Sequence, residues 1–90
     1  MEILENPGIE GWVETFNLAN KMNSKDIESF LSKLNIDERT LARNAGMVIL
    51  EERGFCESLG INYGNPTFNE GLKADLVGYW LELYNIDAIK

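Results

Sequence analysis

The stretch TFNEGLKADLVGYWLELY, residues 67–84, carries the strongest structural signature in this 90-residue chain. Thr67 and Glu70 have the spacing of a capping box, in which each side chain accepts a hydrogen bond from the backbone N–H of the other at the start of a helix. Apolar and aromatic residues then recur at helical spacing: Leu72, Leu76, Tyr79, Trp80 and Leu83. The pattern predicts a helix over residues 68–84.

Three earlier segments show the same helical period, over residues 9–21, 25–34 and 38–53. Ser24 precedes the second segment and Asp37 precedes the third, and both residue types are favourable N-caps. The third segment is apolar on more than one face, which is typical of a central helix. These patterns predict three helices before the one at residues 68–84.

Two glycines bear on the third predicted helix. Gly46 lies in its interior, where glycine costs about 0.8–1.0 kcal/mol relative to alanine, and a close helix crossing would account for it. Gly54 follows the segment and is predicted to be the left-handed residue that ends the helix. Over residues 55–66 the pattern fits either a short helix or extended chain. We therefore expect an all-α fold, a compact single-domain bundle of about four helices with a longer connection before the last.

The composition excludes several kinds of chemistry. The chain has 15 acidic and eight basic residues, a net charge of −7, no histidine and one cysteine. Without histidine there is no Ser-His-Asp or Cys-His catalysis and no histidine zinc site, and a single cysteine forms no intrachain disulfide. The negative charge disfavours binding to nucleic acid and to anionic lipid. We expect no catalytic residues, no cofactor and no metal.

The apolar runs are short. The longest, residues 47–50, falls far below the roughly 20 residues that a membrane-spanning helix needs. The first residues, MEILE, lack the basic leader and apolar core of a secretory signal. The sequence therefore predicts a cytoplasmic protein that does not cross a membrane.

Three features could carry a site, but each has a simpler structural interpretation. Cys56 lacks a neighbouring base that would activate it, so we interpret it as a half-buried structural residue. The glutamates between residues 51 and 57 lack the alternating spacing of a calcium loop and are interpreted as a solvated acidic face. The loop at residues 63–67 precedes a helix N-terminus, which can bind an anion. Glu70 would repel an anion there, so we interpret the loop as a turn and helix cap.

Aromatic residues on the first and last helices are the candidate interface, namely Trp12, Tyr79, Trp80 and Tyr84. Helical spacing makes core packing the simpler interpretation, yet Trp and Tyr are also enriched at protein interfaces. Tyr79 and Trp80 lie about 100° apart around a helix, so they cannot both face one narrow seam. The sequence therefore predicts a non-enzymatic helical interaction module, a small regulator or adaptor that binds a protein partner or forms a homodimer.

Two other functional classes stay open at this point. The N-terminal fifth holds four glutamates and no basic residue before Lys21, which fits an acidic inhibitor that mimics nucleic acid to block a basic protein. A carrier of a small apolar ligand would need a cavity lined by Phe30, Met47 and Tyr79, and a core of this size has little spare volume. Strong salt dependence of binding would indicate the mimic, because exposed charges are screened by salt.

Overall fold

The computed structural model describes the backbone of residues 8–89 and the side chains of residues 8–81. This part of the chain contains five helices. They are α1 (Gly8–Ala19), α2 (Ser24–Ser32), α3 (Ile36–Leu50), α4 (Arg53–Leu59) and α5 (Phe68–Ile89). No strand occurs within residues 8–89. The all-α prediction is confirmed, but the number of helices is five rather than about four. The longest connection precedes the last helix, as predicted.

Asparagines, rather than the predicted residues, cap α2 and α3. The side chain of Asn23 accepts a 2.8 Å hydrogen bond from the backbone N–H three residues later. Asn35 and Glu38 form a full capping box, with hydrogen bonds of 2.8 and 3.1 Å. Ser24 and Asp37 lie inside the first turns, so their prediction as N-caps was wrong. Asparagine caps a helix as well as serine or aspartate does, and in both helices the asparagine precedes the predicted cap in the sequence.

The third predicted helix is divided into two helices. Helix α3 ends at Leu50, and Gly54 lies inside α4 instead of ending α3. The left-handed residue is Gly60, with a φ of 71°, and it ends α4. Gly54 has a packing role, because a Cβ there would lie 3.0 Å from the Cδ1 of Ile9 in α1. Of the segment that the pattern left ambiguous, residues 55–59 are thus helical and residues 60–66 are turns and irregular chain.

The capping box predicted at the start of the last helix is present. The Thr67 N–H donates to Oε1 of Glu70 at 2.7 Å, and the Glu70 N–H donates to Oγ1 of Thr67 at 3.1 Å. Helix α5 continues to Ile89, five residues beyond the predicted end at 84. Residues 85–89 contain neither glycine nor proline, so no helix-breaking residue stops it earlier.

Helices α3 and α5 cross very closely at small residues, which confirms the crossing predicted from Gly46. A Cβ on Gly46 would lie 2.9 Å from the backbone nitrogen of Asp75, and one on Gly78 would lie 2.7 Å from the backbone nitrogen of Gly46. Ala42 and Ala74 are fully buried at the same crossing. The close approach requires these small side chains, since a larger one would force the helices apart.

Most of the buried apolar side chains form one cluster that includes Phe55. The Phe55 ring makes edge-to-face contacts with Phe16 and Trp12, at centroid distances of 5.5 and 6.4 Å. Helix α4 therefore joins α1 to the core, although it has only seven residues. The cluster comprises Phe16, Ala19, Ile27, Leu31, Ile49, Phe55, Cys56, Ile61, Leu72, Leu76 and Val77.

Candidate functional site

An open groove lies between α3 on one side and, on the other, the loop that leads into α5 and the first two turns of α5. It consists of two adjoining depressions of about 490 and 290 Å³, which share Met47, Leu50 and Pro66. We call it the α3 groove and define it by its main apolar lining residues: Met47, Leu50, Tyr63, Pro66 and Phe68.

Large apolar side chains are exposed along the α3 groove. Met47, Tyr63 and Phe68 are 51%, 45% and 72% exposed, respectively. A single exposed apolar side chain is ordinary on a protein surface, but here Met47 lines both depressions, beside Phe68 in the larger one and Tyr63 in the smaller one. The sequence had placed Met47 on an apolar face of α3, and the structure shows that no other element covers it completely.

A buried carboxylate paired with two arginines forms one end of the α3 groove. Oδ2 of Asp75 lies 3.0 Å from Nε of Arg43 and 3.3 Å from Nη2 of Arg39. The arginines occupy successive turns of α3, so they reach Asp75 of α5 together. Nη1 of Arg39 is buried and has no hydrogen-bond partner among the described residues. The Arg39–Asp75–Arg43 cluster ties α3 to α5 and carries a net formal charge of +1.

The other end of the α3 groove is held by a cation–π contact. The guanidinium carbon of Arg53 lies 4.8 Å from the centroid of the Tyr63 ring. An exposed contact of this kind contributes roughly 0.5–1 kcal/mol. Gly64, with a φ of 85°, makes the turn that follows Tyr63. The loop wall of the groove is thus attached to the start of α4.

Cys56 is fully buried rather than half-buried. Its Sγ donates a hydrogen bond to the carbonyl oxygen of Leu50 at 3.2 Å. Burial raises the pKa of the thiol above its usual value, and the carboxylates of Glu70 and Glu52 raise it further. The thiol therefore stays protonated near neutral pH. In the part of the chain that the structure describes, no acidic or cysteine group is arranged to hold a metal ion.

The structure places the predicted interface residues mostly against the core. Trp12 and Trp80 are partly buried and pack on the core cluster. Tyr79 is also partly buried, and its ring lies edge-to-face with Phe30 at 5.4 Å. The side chain of Tyr84 lies outside the described residues. None of the three described residues lines the α3 groove, and an interface through them stays a prediction.

The α3 groove was not predicted from the sequence as one site, although Met47 was placed in a candidate ligand cavity and the loop at residues 63–67 was considered as a separate feature. One signal was present, because Asp75 interrupts the apolar stripe of α5 next to Leu76. A carboxylate at a core-facing position requires a cationic partner. Arg39 and Arg43, spaced four residues apart, were candidates for that role. Phe68 offered no comparable signal, because its exposure depends on how the loop and α3 pack.

Comparisons with known proteins return no match for this chain. No family model, curated protein or solved structure is similar to it. Within residues 8–89, no helix has the length and apolar character needed to cross a membrane. The α3 groove offers apolar contact surface along its length and guanidinium N–H donors at one end.

Proposed function

We propose that this protein is a non-enzymatic helical interaction module and that its α3 groove binds a segment of a protein partner. The observation that carries the proposal is the exposure of three large apolar side chains along the α3 groove, those of Met47, Tyr63 and Phe68. Apolar surface left in water is unfavourable by about 25 cal/mol per Å². An apolar side chain of a partner that enters the groove would remove this surface from water.

The walls of the α3 groove are held in place without a partner. The capping box of Thr67 and Glu70 fixes the start of α5, and Arg53 packs on Tyr63 in the loop. Asp75 ties α5 to α3 at one end of the groove. A surface that is already ordered loses less conformational entropy on binding, which favours docking of a partner segment.

Two neighbouring residues of α3 provide a matched test. Met47 and Val48 are 51% and 58% exposed, but only Met47 lines the groove. Met47→Asp and Val48→Asp add the same charge at similar exposure on the same helix. The probe is a set of 16-residue peptides selected from a random displayed library against the wild-type protein. We expect Met47→Asp to weaken their binding by at least about tenfold and Val48→Asp by less than about twofold.

Three further measurements make the test decisive. Circular dichroism must show that both variants keep the wild-type helix content. If the selected peptides bind Met47→Asp as tightly as the wild type, the α3 groove is not the binding surface. Peptides that lose binding to a folded Trp80→Ala variant would place the interface on the aromatic face predicted from the sequence. Sedimentation of the wild type shows whether a second copy of the chain is the partner.

A further inference from the structure

We infer that the partner segment carries an Asp or Glu side chain close to its apolar anchor, and that the guanidinium of Arg43 binds this carboxylate. The inference rests on the proposed function, since it names the chemistry of the segment that enters the α3 groove. It follows from the hydrogen bonding of Arg43, the local charge and the spacing of Arg43 from Met47.

Arg43 has hydrogen-bonding capacity that the protein does not use. Its side chain is 55% exposed and contacts Asp75 only through Nε, at 3.0 Å. Its two Nη groups have no hydrogen-bond partner among the described residues. Because Asp75 holds Nε, the guanidinium plane is oriented before a ligand arrives. A carboxylate can then accept two parallel hydrogen bonds from an arginine, the strongest geometry for this pair.

The charges around the α3 groove favour one carboxylate rather than a polyanion. Arg39 and Arg43 share the single carboxylate of Asp75, which leaves one positive charge on this cluster. Glu28 lines the same depression and brings the sum of its formal charges to zero, and Glu51 lines the other depression; neither glutamate forms an ion pair in the described part of the chain. With these carboxylates and a net charge of −7, the protein would repel a nucleic acid. A single acidic side chain still gains a direct contact with Arg43.

The spacing of the two contacts defines the binding motif. Arg43 and Met47 are four residues apart on α3 and line the same depression. Side chains at this spacing have Cβ atoms about 5–6 Å apart. The acidic residue and the apolar anchor of the partner should therefore be two residues apart in an extended segment, or three to four apart in a helix.

The experiment is a double-mutant cycle with the selected peptides. In each peptide the acidic residue is changed from Glu to Gln or from Asp to Asn, and binding is measured to the wild type and to Arg43→Gln. Each single change should weaken binding by roughly tenfold, because each removes the same charge-assisted pair. Binding of the changed peptide to Arg43→Gln should be less than about twofold weaker than binding after either single change. Lys21→Gln, which removes one exposed charge in the turn after α1, is the matched control and should leave binding unchanged.

Several results would overturn the inference while leaving the proposed function intact. One is a set of peptides that need Met47 but show no Asp or Glu at the stated spacing. Another is a cycle in which the two single effects multiply, which would mean that Arg43 and the acid act independently. The amide-substituted peptides are also tested on the wild type alone, so the inference stays testable if Arg43→Gln does not fold. Insensitivity to Met47→Asp would instead overturn the proposed function.

Discussion

The close crossing of α3 and α5 predicts that adding one methyl group at Gly78 destabilises the protein. A Cβ at this position would lie 2.7 Å from the backbone nitrogen of Gly46, 3.0 Å from the carbonyl oxygen of Ala42 and 2.9 Å from the Cβ of Ala45. None of these atoms lies at the end of a flexible side chain. The Gly78→Ala substitution therefore requires the two helix backbones to separate.

The expected size of the effect follows from two opposing contributions. Alanine in a helix interior is favoured over glycine by about 0.8–1.0 kcal/mol. Overpacking a tight interior costs about 1–3 kcal/mol, and we expect the upper part of this range because backbone atoms must move. The net loss for Gly78→Ala is about 1–2 kcal/mol, which corresponds to a fall in Tm of about 4–16 °C for a domain of this size.

Gly71 supplies the matched control on the same helix. A Cβ there would meet no heavy atom within 4 Å, so Gly71→Ala should gain up to about 1 kcal/mol from helix propensity alone. Urea unfolding followed by far-UV circular dichroism measures both variants against the wild type. Opposite shifts of the two midpoints are expected. If Gly78→Ala unfolds at the same urea concentration as Gly71→Ala, the close crossing does not exist and the reasoning fails.

Two other predictions concern buried polar groups. Asp75→Asn should lower the free energy of unfolding by about 1–3 kcal/mol because two arginines lose a charged partner. Glu57→Gln, at an exposed ion pair with Arg53, should change the free energy of unfolding by less than about 0.5 kcal/mol. Equal shifts in the Tm of the two variants would refute the difference expected between the buried and the exposed carboxylate. Native Cys56 should react with a disulfide reagent far more slowly than the urea-unfolded chain. Because burial raises the pKa of this thiol, the thiol ionises at a lower pH in the unfolded chain than in the native protein. The free energy of unfolding, relative to that of Cys56→Ala, should therefore fall as pH rises through about 9.0. Parallel pH profiles of the two proteins would contradict this.

The helices could be predicted from the sequence because their signals are local. The capping box of Thr67 and Glu70 lies within four residues, and the apolar stripe after it follows from the period of a helix. Helix boundaries were less certain, because residues close together in the chain, such as Asn35 and Asp37, are both good caps and only one of them caps the helix. Helix α4 was ambiguous because seven residues have little helix stability of their own. The packing of Phe55 against α1 stabilises it.

The candidate site could not be predicted in the same way. Met47, Val48 and Leu50 all lie on apolar positions of α3, and the sequence does not show which of them another element covers. In the structure, Leu50 is partly buried while Met47 and Val48 remain exposed. Burial depends on contacts between segments that are distant in the chain, so periodicity within one helix does not determine it.

The sequence by itself determined that this protein is helical and where the last helix begins, and it offered a close helix crossing as the explanation for Gly46. It also excluded chemistry that needs histidine or a disulfide. Only the tertiary structure decided that Asp75 pairs with Arg43, 32 residues away, and that Met47 and Phe68 line one groove. The physical reason is the separation along the chain of the residues that interact. Caps and helical stripes depend on hydrogen bonds and periodicity over a few residues, whereas a groove and a buried ion pair depend on which distant surfaces pack together.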